Sequence, residues 1–206
     1  DCLRFFAEYA DKLGGDVAAT KSEHFGFTVT QPYGVVAAIA PWNYPLQMAC
    51  WKVGPALAAG NAVVLKPSEL TPLSALALAE LAFEAGVPAG IFNVVQGDGA
   101  TAGRALVSHP LVGKVTFTGS TATGRRILMA SSSVQIRPLT LELGGKSAQV
   151  VFADAPDISV AASAIANGIF NNAGQVCVAG SRLIVQRSIA EPLIERLASL
   201  GRQRTP

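Results

Sequence analysis

Val35-Val-Ala-Ala-Ile39, Pro41-Trp-Asn-Tyr-Pro45, Leu46 to Ala59, Gly60-Asn61 and Ala62-Val-Val-Leu-Lys66 form the stretch that decides the fold class. Two short apolar runs bracket a longer one. Each short run is almost free of polar residues, which suits a strand buried on both faces. Pro41 and Pro45 enclose a turn, because prolines remove backbone donors and push the residue before them out of the helical region. Leu46 to Ala59 is too long for an ordinary strand and reads as a helix, with Gly60-Asn61 ending it. Strand, helix and strand in that order make a βαβ unit, whose strands run parallel.

The same rhythm extends outward. Pro67-Ser68 breaks the second strand, and Thr71 to Gly86 is a helix with Pro72 in its first turn. Ile91-Phe-Asn-Val-Val95 is a third strand, Ala100 to Val107 a short helix, Lys114-Val-Thr-Phe-Thr118 a fourth strand, and Gly124 to Ser131 lies in a further helix. Upstream, residues 3–12 carry apolar groups at helical spacing before Gly14-Gly15, and residues 16–34 are polar and read as extended or loop. Past Gly145 the alternation restarts with a strand at 148–152, a helix at 158–170, a strand at 182–186 and a helix at 189–200, then a polar tail from Gly201 to Pro206. The expected fold is therefore α/β. A Rossmann-like parallel sheet with flanking helices and an N-terminal helix occupies residues 1–143. The opening part of a second α/β unit occupies 144–206, with Gly144-Gly145 as the hinge. Such sheets place their working loops at the carboxyl ends of the strands. Residues 41–45, 66–69 and 119–124 each follow a strand directly.

Composition narrows the class. A chain of 206 residues suits one domain, or one domain and a piece of another. Half of the residues are apolar and only 15% are charged, so material for a core is ample. The net charge is +2 with basic residues scattered, which argues against a nucleic-acid partner. Cys2, Cys50 and Cys177 are odd in number and irregularly spaced, unlike a disulfide framework. A reduced, cytoplasmic setting is expected. No apolar run approaches the roughly 20 residues of a membrane span, and no signal peptide is visible. No metal site is expected. The first residue is Asp1 rather than Met, so a start upstream is expected.

Two segments carry candidate chemistry: Phe170-Asn-Asn-Ala-Gly-Gln-Val-Cys177 and Leu141-Glu-Leu-Gly-Gly-Lys146. A free thiol titrates at about 8.5, so a nucleophilic Cys177 needs activation. Histidine is the usual partner, but His24 lies in the polar N-terminal segment and His109 precedes Pro110 in a loop. Glu142 is the better candidate base. A nucleophile and a base on two such turns suit chemistry at a carbonyl carbon. The Asn43 amide can donate to a developing oxyanion, jointly with the backbone N–H of Cys177. Plainer readings stand beside these. A lone cysteine is often a small buried hydrophobe, the reading given to Cys2 and Cys50. Glu142 can be a salt-bridged or helix-start acid, and Asn43 a turn residue.

Gly119-Ser-Thr-Ala-Thr-Gly124 follows a strand and opens a helix, where unpaired N–H groups attract an anion such as phosphate. Ser120 or Thr121 can cap that helix or contact a phosphate oxygen, and taken alone the loop reads more readily as an ordinary capped turn. In Lys66-Pro-Ser-Glu69 the carboxylate can accept hydrogen bonds from ribose hydroxyls and repel a 2′-phosphate, favouring NAD over NADP. Lys66 leaves some tolerance for NADP. Glu69 alone reads equally well as a helix-start acid.

Taken together with Pro41–Pro45 and Lys66–Glu69, these segments make the chain resemble the aldehyde dehydrogenases, in the family's order from about Leu3 to near the last residues. The resemblance implies adenosine-ribose contacts at Lys66 and Glu69, a cofactor contact at Ser68, and pyrophosphate contacts at Gly119, Ser120 and Gly124. It puts the backbone of Ile39, Ala40 and Pro41 along the same cleft, with Trp42 beside it and Leu143 also against the cofactor. It makes Asn43 the oxyanion donor, Glu142 the general base and Cys177 the nucleophile. Lys52 matches a lysine sometimes given a relay role, although a helix lysine is more often simply solvated. The implied reaction adds the thiolate to an aldehyde, passes a hydride to the nicotinamide and hydrolyses the thioester with water activated by Glu142.

Relative to the family pattern the chain is short at both ends, lacking among other parts a glutamate for the nicotinamide ribose. Uncovered sheet edges and apolar surface are then expected to favour a homo-oligomer. Tyr44, Leu46, Trp51 and Val176 can line an apolar entrance for aromatic or medium aliphatic aldehydes, or can be core. The alternatives to an aldehyde oxidoreductase are a cofactor-independent thiol esterase and a non-catalytic dinucleotide-binding fragment.

Overall fold

A computed structural model describes residues 1–204. In chain order it contains α1 (Cys2–Ala7), β1 (Val17–Ala18), β2 (Gly26–Phe27), β3 (Val35–Ile39), α2 (Pro45–Ala58), β4 (Ala62–Lys66), α3 (Leu73–Glu84) and β5 (Phe92–Val94). A π-turn at Gly99–Gly103 leads into α4 (Arg104–Val107). Then come β6 (Val112–Gly119), α5 (Thr121–Ser132), β7 (Leu139–Leu143), β8 (Ala148–Val151), α6 (Ile158–Phe170), β9 (Arg182–Val185) and α7 (Ala190–Arg202). The expected helix over 3–12 is shorter, because α1 stops at Ala7 without a side-chain cap and continues as turns. Residues 16–34, expected to be extended or loop, contain the small antiparallel β1–β2 pair. The tail expected from Gly201 opens instead with the end of α7, while Thr205 and Pro206 lie outside the described residues.

The main sheet has the order β5-β4-β3-β6-β7, and the β3–β4, β3–β6 and β4–β5 pairings are parallel. The chain steps outward from β3 to β4 to β5, then crosses back to add β6 on the other side of β3. Open α/β sheets characteristically bind ligands beyond the carboxyl ends of their strands at such a reversal, here that of β3 and β6. The central strands owe their position to composition. Val36, Ala37 and Ala38 on β3, Val63 and Leu65 on β4, and Val115 on β6 are all buried at 1% exposure or less. Small side chains at Ala38 and Ala40 let Ala49 and Val53 of α2 close onto the sheet in one core cluster. Filling that layer with intact Val and Leu side chains contributes about 1.5–3 kcal/mol for each one buried.

β7 was not anticipated: Leu141–Lys146, expected as a turn, begins inside a strand. Leu139-Thr-Leu-Glu-Leu143 alternates half-buried leucines with exposed Thr140 and Glu142 at the two-residue period of a strand. Glu142 thus sits on a sheet edge, not at a helix start.

The chain divides into two compact units, Asp1–Glu142 and the segment from Leu143 onward. In the second unit β8 and β9 pair in parallel, Ala148 opposite Arg182 through Val151 opposite Val185. Val151, Ala162, Ile165 and the fully buried Leu193 form its core, joining the strand pair to α6 and α7. Asp157 caps α6, its carboxylate accepting from the Ser159 N–H at 2.6 Å.

Candidate active site

In the first unit, strand register brings the expected cofactor residues to one end of the sheet. Ile39 lies opposite Lys66 on one side and opposite Phe117 on the other, so the loops after β3, β4 and β6 leave side by side. The Ala40 N–H donates to the Lys66 carbonyl at 3.1 Å, and the Thr71 hydroxyl donates to the Trp42 carbonyl at 3.3 Å. These bonds tie the Ala40–Trp42 stretch to the segment from Lys66 to Thr71. Trp42 is exposed, while Pro41, Asn43 and Tyr44 are half-buried.

Lys66 is buried, whereas Glu69 keeps 57% of its side chain in solvent. The Lys66 ammonium donates to the Pro67 carbonyl at 3.0 Å and stands 3.5 Å from Glu69 Oε2. The Ser68 hydroxyl accepts from the Leu70 N–H at 3.3 Å, which shapes the loop and leaves the Glu69 carboxylate outward.

After β6, Ser120 caps α5: its Oγ accepts from the Thr123 N–H at 3.2 Å. Of Ser120 and Thr121, it is therefore Ser120 that caps. The helix begins at Thr121, so Gly124 is a buried residue of its first turn. At Gly119 the Phe117 ring lies 2.5 Å from where a Cβ would stand, so a side chain there would have to displace that ring. With twelve residues behind it, α5 directs its first-turn N–H groups and the positive end of its dipole out of the sheet edge.

Lys52 is not solvated. It is 6% exposed, and its ammonium crosses from α2 to β6, donating to the hydroxyls of Thr118 at 2.8 Å and Thr116 at 3.3 Å. Burial pulls its pKa down to about 8, against a smaller upward pull from the charge of Glu142. Thr116 and Thr118 were not among the expected site residues. Their signal was two hydroxyls at strand spacing in Lys114-Val-Thr-Phe-Thr118.

In the second unit, Cys177 is exposed. It occupies a turn closed by the Ala179 N–H donating to the Val176 carbonyl at 3.0 Å. Just before it, Asn172 and Ala173 hold φ of 48° and 54°, and Gly174 follows at 75°. Three left-handed residues in succession are costly for Ala173 and persist only where surroundings impose them. The Gly144-Gly145 segment reaches this loop, and a Cβ on Gly145 would stand 3.5 Å from the Cys177 carbonyl oxygen. Cys2 and Cys50, expected to be buried, are half-buried.

A parallel sheet whose order reverses at β3/β6, with loops and a capped helix at its carboxyl edge, defines the class: a doubly wound α/β unit, followed by a second unit that bears a thiol. Residues 1–204 match the Aldehyde dehydrogenase family, and the chain belongs to that family. It is 53% identical over 195 residues to the NADP/NAD-dependent aldehyde dehydrogenase PuuC of Escherichia coli, covering 95% of this chain and 39% of the relative. An aldehyde dehydrogenase of Emericella nidulans is 52% identical over the same length and shares. Among solved structures, PnpE in complex with nicotinamide adenine dinucleotide superposes with a TM-score of 0.94 at 51% identity, covering 98% of this chain and 41% of that one. The aldehyde dehydrogenase KauB of Pseudomonas aeruginosa superposes at 0.95 with 48% identity, covering 100% and 41%. The chain thus spans about two fifths of the length of the relatives it matches.

Proposed function

We propose that this chain carries the dinucleotide site and the nucleophile of an enzyme that oxidises an aldehyde to a carboxylic acid with NAD, and with NADP as a possible substitute. The observation that carries the reading is the meeting of three loops at the carboxyl ends of β3, β4 and β6 in a member of this family. The residues suit a dinucleotide. Glu69 offers an outward carboxylate for ribose hydroxyls, and the first turn of α5 offers N–H donors for a pyrophosphate. Ile39, Ala40, Pro41 and Trp42 would flank it, with Lys66, Ser68, Gly119, Ser120, Gly124 and Leu143 as further contacts. Bound there, the cofactor supplies the hydride acceptor.

The remaining chemistry belongs to the protein. The Cys177 sulfur adds to the aldehyde carbon. The Asn43 amide and the Cys177 N–H donate to the oxygen that takes up negative charge, a pair of donors worth about 3–4 kcal/mol each in comparable sites. Glu142 takes a proton from the water that releases the acid from sulfur. Lys52 is poised by its low pKa to exchange a proton near neutral pH, which fits a relay role. The exposed apolar residues of α3, Leu73, Leu81 and Phe83, favour self-association into a homo-oligomer.

The test pairs NADH absorbance across a panel of aliphatic and aromatic aldehydes with titration of NAD, in the parent and in Cys177→Ala. The expected result is aldehyde-dependent NADH formation that disappears in the variant while NAD still binds. Ester cleavage without NADH supports a thiol esterase instead. NAD binding with no turnover in the parent supports a dinucleotide-binding module, and turnover that survives in Cys177→Ala removes the nucleophile.

A further inference from the structure

The loop that presents Cys177 is fastened at its base by one side chain that no motif singles out. Its two feet are Gly168 on α6 and Gly180 just before β9, joined by the Gly180 N–H donating to the Gly168 carbonyl at 3.0 Å. Gln149 of β8 lies across that junction. Its Nε2 donates to the Gly180 carbonyl at 2.8 Å and to the Ile165 carbonyl at 3.3 Å. Both partners are carbonyls, so only the amide NH₂ can satisfy them, and both of its hydrogens are used. The fit is steric as well. A Cβ on Gly168 would come within 2.7 Å of Gln149 Oε1, and a Cβ on Gly180 would overlap Gln149 Cγ and Cδ. The two glycines make a slot for this amide.

Between the feet, the chain makes the left-handed turn at Asn172–Gly174 and then the turn containing Cys177. Gly168 is fixed by α6, whereas Gly180 precedes β9, which begins only at Arg182. Gln149 and the Gly180–Gly168 bond therefore fasten the returning end of the Cys177 loop to the helix it left. We infer that Gln149 is a positioning residue: its amide clasps the base of the cysteine loop and sets the placement of the Cys177 backbone N–H and sulfur. The inference rests on Cys177 as the reacting group, while the clasp itself can be tested without any turnover.

The test uses the full chain with Gln149→Leu, which keeps volume and loses both donors. Hydrogen exchange of the Gln175, Ala179 and Gly180 amides is expected to quicken roughly tenfold, as the loss of two modest hydrogen bonds implies. Amides of α7 should be unchanged. Iodoacetamide labelling of Cys177, measured by peptide mass against Cys50 in the same sample, should change several-fold. With turnover present, kcat should fall while NAD affinity holds. Unchanged exchange in the 175–180 amides overturns the clasp. Faster exchange with unaltered Cys177 labelling and unaltered kcat overturns the positioning role and leaves a structural one. Absence of turnover in the parent bears on the proposed function alone.

A second pair guards against a fold defect. Gly180→Ala should unfold at lower denaturant than the parent, and Gln149→Ala in the same chain should recover part of that loss by emptying the slot. Strictly additive effects would sink the steric half of the inference.

Discussion

The Lys52 ammonium donates to the Thr118 hydroxyl at 2.8 Å in the layer between α2 and β6. A charged group is held there because β6 carries hydroxyls at two alternate positions, Thr116 and Thr118, on the side facing α2. The cost of that arrangement appears as a depressed pKa, and the titration makes it measurable.

Lys52 should make stability depend on pH in the alkaline range. In the folded chain it loses its proton near pH 8, whereas an unfolded lysine holds its own to 10.5. Between those values the unfolded chain binds more protons, so stability rises with pH there, by up to about 1.4 kcal/mol per pH unit. Below pH 8 the penalty is fully present. Urea midpoints of the parent should therefore climb from pH 8 to 10.5 relative to Lys52→Met, which lacks the titration. A constant difference between the two would show that Lys52 keeps its ordinary pKa.

Thr118→Val removes the better acceptor from a buried cation while keeping its shape. The expected loss is about 1–3 kcal/mol in chemical denaturation. Thr116→Val, whose bond is longer at 3.3 Å, should cost less. Equal costs would mean that the two hydroxyls share the cation evenly.

Ser120 can be separated into cap and cofactor contact. Ser120→Ala should lose about 1 kcal/mol of stability with the cap. Ser120→Asp keeps a capping oxygen and adds favourable charge at the α5 N-terminus, so its melting temperature should hold. Its carboxylate would oppose a pyrophosphate, and NAD affinity by titration calorimetry should drop at least about tenfold, or roughly 1.4 kcal/mol. Undiminished affinity in Ser120→Asp would move the pyrophosphate away from this helix.

Glu69→Gln should change coenzyme choice more than stability. Its ion pair with Lys66 is more than half exposed on the carboxylate side, so unfolding should shift by less than about 1 kcal/mol. Removing the negative charge leaves Lys66 to attract a 2′-phosphate, and the ratio of NADP to NAD affinity should rise. An unchanged ratio would place the adenosine ribose elsewhere.

The strands at β3, β4, β5 and β6 and the helices between them were legible because each is a short apolar run set apart by Gly and Pro. β7 was equally regular, Leu-Thr-Leu-Glu-Leu, but the Gly144-Gly145 pair beyond it drew the reading toward a turn. The β1–β2 pair was not legible, since two residues per strand are too few to show a period. A helix cap at Ser120 or Thr121 was legible from local chemistry, while the choice of Ser120 and the register that sets Ile39 opposite Lys66 came from the folded chain. The burial of Lys52 was not legible. Its helix neighbours suggest nothing, and its acceptors lie on a strand far along the chain.

The order of apolar runs by itself determined a parallel α/β sheet with its loops gathered at one edge, because strand length and helix crossover leave few other solutions. Which side of β3 receives β6, and so where the strand order reverses, is a matter of long-range pairing that no local pattern encodes. The same holds for the amide of Gln149 between Gly168 and Gly180: three unremarkable residues acquire a role only when packing brings two backbones within reach of one side chain.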